Sequence, residues 1–117
     1  MLATLLSFFL LVAAAGAMLA VLEARGARIP LVVGALHGAA ASVGIVLLVV
    51  HDIGSPGNRL VNAATVIFIL TATGGLLLFG FRAVRQKLPF AVVLLHAAFA
   101  LTAIFLLTAG YLGDGSA

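Results

Sequence analysis

Four runs of about twenty apolar residues, separated by short polar segments, leave this chain few ways to fold. They extend from Leu2 to about Leu22, from Pro30 to Val50, from about Leu60 to Phe81 and from Pro89 to near Leu112. As a helix rising 1.5 Å per residue, each run is long enough to cross a ~30 Å hydrocarbon layer, where backbone must satisfy its own hydrogen bonds. The expected fold class is therefore all-α: a four-transmembrane-helix up-down bundle forming a single membrane domain over residues 1–117. Short loops make consecutive helices antiparallel neighbours. With 65% hydrophobic and 8% charged residues, the chain is far from the roughly half apolar and quarter charged make-up of a soluble domain, so its partner is the lipid bilayer. The absence of cysteine excludes disulfides, thiolate metal sites and iron–sulfur clusters.

The polar segments set the topology. Arg25 and Arg28 lie in the first loop and Arg82, Arg85 and Lys87 in the third, which leaves Arg59 alone on the opposite side. The positive-inside rule then places these two loops inside and both termini, with the Gly54–Asn58 turn, outside, as in a bacterial cytoplasmic membrane. Small residues from Ala13 to Ala17 give the first run a likeness to a secretory signal, but no Lys or Arg precedes it, so it is read as a retained helix. Six basic residues against three acidic ones are too few to suggest a nucleic-acid partner.

The chain also repeats itself. A shift of 59 residues lays a second repeat, about residues 60–112, over a first, about residues 2–52. Between Pro30 and Leu48 it matches Pro30, Val33, Leu36, His37, Ala39, Ala41, Ile45, Leu47 and Leu48 with identical residues, nine of nineteen positions, where roughly three would match by chance. Phe9 falls on Phe68, Ala13 on Ala72 and Gly16 on Gly75. A two-helix unit repeated in tandem enters the membrane in the same direction twice, so a pseudo-two-fold axis runs along the bilayer normal and equivalent residues share one depth.

That symmetry singles out His37 and His96. Each lies seven residues past the proline that opens its helix, about 10 Å below the inner face. An ionisable group at that depth costs a few kcal/mol to insert and requires a partner. Helices two and four are diagonal in an up-down bundle, so the two imidazoles are expected to face each other across the interior. Ala41 and Gly44 follow His37 on its face, Ala100 and Ala103 follow His96, and Gly16 and Gly74-Gly75 reach the same level from the other diagonal. Small residues around two coplanar imidazoles describe a slot for a flat guest.

This arrangement resembles the haem-binding core of membrane-embedded b-type cytochromes, in which histidines from alternate helices ligate haem and glycines on the intervening helices let the macrocycle approach. The resemblance is architectural and rests on His37, His96, Gly16 and Gly75. It implies haem b as cofactor, His37 and His96 as its metal ligands, and electron transfer with a quinone or a partner protein. It departs from members that stack two haems, because His51 has Gly110 as its counterpart on helix four. The chain is also similar to small four-helix bacterial membrane proteins with paired Leu-His-Gly and Leu-His-Ala motifs, a likeness that carries no activity over.

Blander readings stand beside these. Gly34 and Gly38 flank His37 as a small-xxx-small pair, which in membrane helices signals close packing without a ligand. Arg28 and Lys87 suit haem propionates, and lipid headgroups equally well. His51 beside Asp52 is read as anchoring a helix end. Thr71, Thr73, Ser42 and Thr102 are expected to bond back to their own helix carbonyls. The functional rivals are a cofactor-free accessory or assembly subunit of a larger membrane complex, and a small proton-linked transporter using the histidine pair. A homodimer is a further expectation, since one haem near one face cannot carry charge across the bilayer. No nucleophile, carboxylate pair or nucleotide loop supports hydrolytic or phosphoryl-transfer chemistry.

Overall fold

The computed structural model describes residues 1–114 and is a bundle of four helices: α1 (Leu2–Ala24), α2 (Leu31–Gly54), α3 (Arg59–Ala83) and α4 (Phe90–Leu112). All four are long and apolar enough to cross a membrane, and the molecule measures 45 × 20 × 20 Å. Pro30 and Pro89 stand one residue outside the helices they were expected to open, as N-caps whose carbonyls accept from the N–H groups of Val33 and Val92. Their fixed φ directs the chain into the first turn although they do not belong to it.

The two loops of the basic end are built alike. Gly26, at φ 71°, and its counterpart Arg85, at φ 59°, occupy the left-handed region just past a helix end. The following residues, Ala27 and Gln86, donate back to Leu22 O and Phe81 O, closing the α1 and α3 termini in the same way. At the opposite, terminal end, Asn58 caps α3 by accepting from Val61 N–H, and its amide donates to Gly110 O on α4 at 2.9 Å. That contact explains Gly110. A Cβ there would lie 2.7 Å from Val61 and 3.1 Å from Asn58 Oδ1.

α1 packs beside α2 and α4, and α3 packs beside α2 and α4, most extensively beside α4. Among the described residues neither α1 and α3 nor α2 and α4 bring Cα atoms within 8 Å, so these pairs are the diagonals. A ring stack and an ion pair bridge the α1–α3 diagonal, and both join residues 59 apart. Phe9 and Phe68 stack with ring centroids 4.0 Å apart, and the Arg82 guanidinium pairs with the Glu23 carboxylate at the basic end. When equivalent positions of a repeat touch each other, the axis relating them passes between them. The pseudo-two-fold axis thus runs from the phenylalanine pair to the ion pair, along the bundle.

Packing is uneven along that axis. The buried core, Leu2, Leu5 and Phe9 with Leu48, Val61, Ala64, Phe68, Ala103, Ile104 and Leu107, lies entirely toward the terminal end. Between the histidines and the basic end, Val93 is the only buried residue among those described. Outward-facing residues such as Leu11, Leu76, Phe105 and Ile53 are more than 70% exposed, an apolar girdle suited to acyl chains.

Candidate functional site

His37 on α2 and His96 on α4 are half-buried, and each ring is seated on the glycine of the preceding helix in its own repeat. A Cβ on Gly16 would lie 2.8 Å from His37 Cε1; one on Gly75 would lie 3.0 Å from His96 Cε1. Two-helix units with glycine at that level let an imidazole lie directly against helix backbone, which no larger residue permits.

The approach has a chemical consequence in the second repeat. His96 Nδ1 lies 2.9 Å from Thr71 O. In the helix ladder this carbonyl receives the N–H of Gly75, and its second lone pair is left for the ring. A carbonyl can only accept, so Nδ1 carries the proton, and in the neutral ring the free electron pair is then on Nε2. This is the orientation that fixes metal-ligating histidines elsewhere, by a backbone acceptor behind the coordinating nitrogen. In the first repeat His37 Nδ1 is buried without any hydrogen-bond partner.

Several expectations are corrected by this geometry. The histidines do not bond to each other: His96 turns to a carbonyl of α3, and His37 rests on α1. No open slot continues from His37 toward the terminal end. A Cβ on Gly44 would meet Phe8 Cε1 at 2.9 Å and Phe9 Cε1 at 3.0 Å, and its counterpart Ala103 is fully buried in the core. Gly44 and Ala103 therefore accommodate aromatic and aliphatic packing, while Ala41 and Ala100 remain half-buried beside the histidines. Gly16 and Gly75 are covered by imidazole, and Gly74 lies 3.7 Å from His96 Nδ1 by the same measure.

Comparison with family models, with curated proteins and with solved structures finds no match. The site must be interpreted from its own chemistry.

Among the described residues, His37 and His96 are the side chains here that could hold a haem iron. The bond from His96 Nδ1 to Thr71 O leaves Nε2 as that ring's donor, and His37 Nδ1 is buried with no hydrogen-bond partner. Toward the basic end the interior-facing Gly16, Gly34, Gly75 and Phe79 are half-buried, whereas the Phe9–Phe68 stack closes the terminal side. Arg28 and Lys87 are exposed at the basic end, and Arg82 is committed to Glu23 and to Ile29 O.

The remaining polar residues behave locally. Ser42, Thr71, Thr73 and Thr102 each donate to the carbonyl four residues earlier, as expected of hydroxyls in membrane helices. At the end of α2 it is Asp52, not the His51 ring, that makes the anchoring contact, accepting from the Thr65 hydroxyl on α3. The Thr71 carbonyl and the Glu23–Arg82 pair escaped the sequence reading. A backbone acceptor leaves no mark in a sequence, but opposite charges at repeat-equivalent positions were a signal that could have revealed the ion pair.

Proposed function

We propose that this chain is a small haem-carrying membrane protein of the b-type cytochrome kind, in which His37 and His96 would hold the iron. The observation that supports it best is the His96–Thr71 hydrogen bond, which presets Nε2 as a donor at the depth where the repeat provides a second imidazole. Haem would supply one-electron chemistry. The protein's part is to orient His96 through the Thr71 carbonyl, to admit both rings against Gly16 and Gly75, and to exclude water on the terminal side with the Phe9–Phe68 stack. Arg28 and Lys87 would meet the propionates at the basic end. A quinone or partner protein would exchange electrons there, and a dimer or larger complex would be needed to move charge across the bilayer.

The decisive measurement is a visible spectrum of protein expressed with ample haem, oxidised and then dithionite-reduced. Sharp six-coordinate low-spin bands that change when either histidine is replaced by alanine are the expected result. A colourless wild type sinks the reading. It would favour the cofactor-free accessory subunit, for which a separate observation speaks: Gly16, Gly74 and Gly75 are already covered by an imidazole.

The orientation we infer has the loops carrying Arg25–Arg28 and Arg82–Lys87 on the cytoplasmic side. Single cysteines at Ser55 and Ala83, treated with an impermeant reagent on intact cells, should label only at 55. Labelling at 83 alone reverses the orientation.

A further inference from the structure

Asp52 is an acidic residue within a membrane-spanning helix, and among the described residues no cation pairs with it. Of the other two acidic residues, Glu23 is paired with Arg82 and Asp114 lies beyond the end of α4. A carboxyl in such a place is costly and marks a functional site by default. Its Oδ1 is buried with no hydrogen-bond partner, while Oδ2 meets the Thr65 hydroxyl of α3. Leu48, one turn earlier on α2, and Val61 and Ala64 on α3 are buried apolar side chains.

The Thr65 hydroxyl has a single proton, and two acceptors compete for it. One is Val61 O at 2.9 Å, the usual partner of a threonine that bonds back to its own helix, and the other is Asp52 Oδ2. While the carboxylate is ionised, the hydroxyl serves Oδ2 or Val61 O but not both, and Oδ1 has no donor in either case. One added proton resolves the count. The carboxyl then donates through Oδ2 to Thr65 Oγ1, the hydroxyl donates to Val61 O, and Oδ1 becomes a neutral carbonyl oxygen, which is far cheaper to bury than a carboxylate oxygen. The couple belongs to the α2–α3 interface alone, because the positions equivalent to Asp52 and Thr65 in the repeat hold Tyr111 and Leu6.

We propose that Asp52 is a proton-binding site, occupied in the folded bundle and exchanging with water on the terminal side. Asp52 stands two residues before the end of α2 at Gly54. The adjoining His51 lines a cavity of about 470 Å³ at this end, together with Ser55, Asn58 and Arg59. The titratable groups of this end are the Met1 amino group on α1, His51 on α2, Arg59 on α3, and Tyr111 and Asp114 at the end of α4, and none of them bonds to Oδ1. In release the carboxyl O–H bond breaks, the proton passes to water and the electron pair stays on the carboxylate. The Thr65 hydroxyl then turns from Val61 O to Oδ2, and nothing is oxidised or reduced. The site goes beyond the haem reading and does not depend on it.

The test uses the purified full-length protein in detergent. Infrared spectroscopy at neutral pH should show the carbonyl band of one protonated carboxylic acid, which shifts in heavy water and fades reversibly as the pH is raised. The band should vanish in Asp52→Asn, which keeps the shape of the protonated group, and should move in Thr65→Val, which removes the acceptor of its proton. As a second readout on the wild type, an apolar carbodiimide, which adds to protonated carboxyls in dry surroundings, should leave one adduct on Asp52 by peptide mass spectrometry, and less of it at alkaline pH. A neutral-pH spectrum without such a band, a band that survives Asp52→Asn or is unmoved in Thr65→Val, or adducts confined to Glu23 or Asp114 each overturn the proposal. None of these readouts requires haem, so a colourless wild type sinks the haem reading and leaves this test standing.

Discussion

The first repeat, α1 with α2, and the second, α3 with α4, share a sequence pattern and a depth but not a degree of closure. The second pair packs along its length, has Asn58 bound to Gly110 at one end and holds His96 on a carbonyl near the middle. The first pair packs less extensively, carries the larger His51 where its partner has Gly110, and leaves His37 unbonded. Equivalent side chains therefore keep equivalent places, while individual substitutions leave one half more fully packed and hydrogen-bonded than the other.

The contact expected to matter most is the one on the axis itself. Phe9→Ala and Phe68→Ala each remove one ring of the central stack, and each should cost about 3 kcal/mol, most of it for the cavity left, since lipid competes for exposed apolar surface. Because the partners are related by the pseudo-symmetry, thermal unfolding in detergent should give equal losses. A clear inequality would show that one repeat bears the core alone.

Gly110→Ala sharpens the difference between repeats. Its methyl would meet Val61 side chain and backbone and the Asn58 cap, so the second hairpin should lose about 2 kcal/mol. The equivalent change in the first repeat, His51→Ala, should fall within about 0.5 kcal/mol, because the His51 ring has no hydrogen bond to lose. Equal losses would mean that closure at this end does not distinguish the two pairs.

A smaller effect of opposite sign is expected at the basic loops. Gly26→Ala forces a side chain into the left-handed region and should destabilise by about 1 kcal/mol, while Arg85→Gly relieves that same cost and should stabilise by a similar amount. Denaturant titrations that shift both variants in one direction would refute the common loop geometry.

The smallest effect belongs to the Glu23–Arg82 pair, whose side chains are 28% and 21% exposed, so Glu23→Gln should cost less than about 1 kcal/mol and less still in high salt. Since the two positions are equivalent about the axis, the double exchange Glu23→Arg with Arg82→Glu should recover the loss. Failure to recover it would place the pair off the axis.

What the sequence determined by itself was set by the solvent and by duplication. Apolar runs of that length permit only helices, short polar loops permit only antiparallel neighbours, and a 59-residue repeat puts His37 level with His96 and Gly16 level with Gly75. These follow from chain length and backbone hydrogen bonding, which are local or periodic quantities. The terminal-end slot was the misreading, because small residues at Gly44 and Ala103 specify close approach without saying what approaches. Phe8, Phe9 and the leucines of other helices take that space. Tertiary structure alone decided which way each imidazole rotates, that a carbonyl of Thr71 receives one and nothing receives the other, and that Phe9 meets Phe68 on the axis. Those outcomes depend on the relative rotation and separation of helices, which four nearly uniform apolar stripes leave open and only side-chain packing across the assembled bundle fixes.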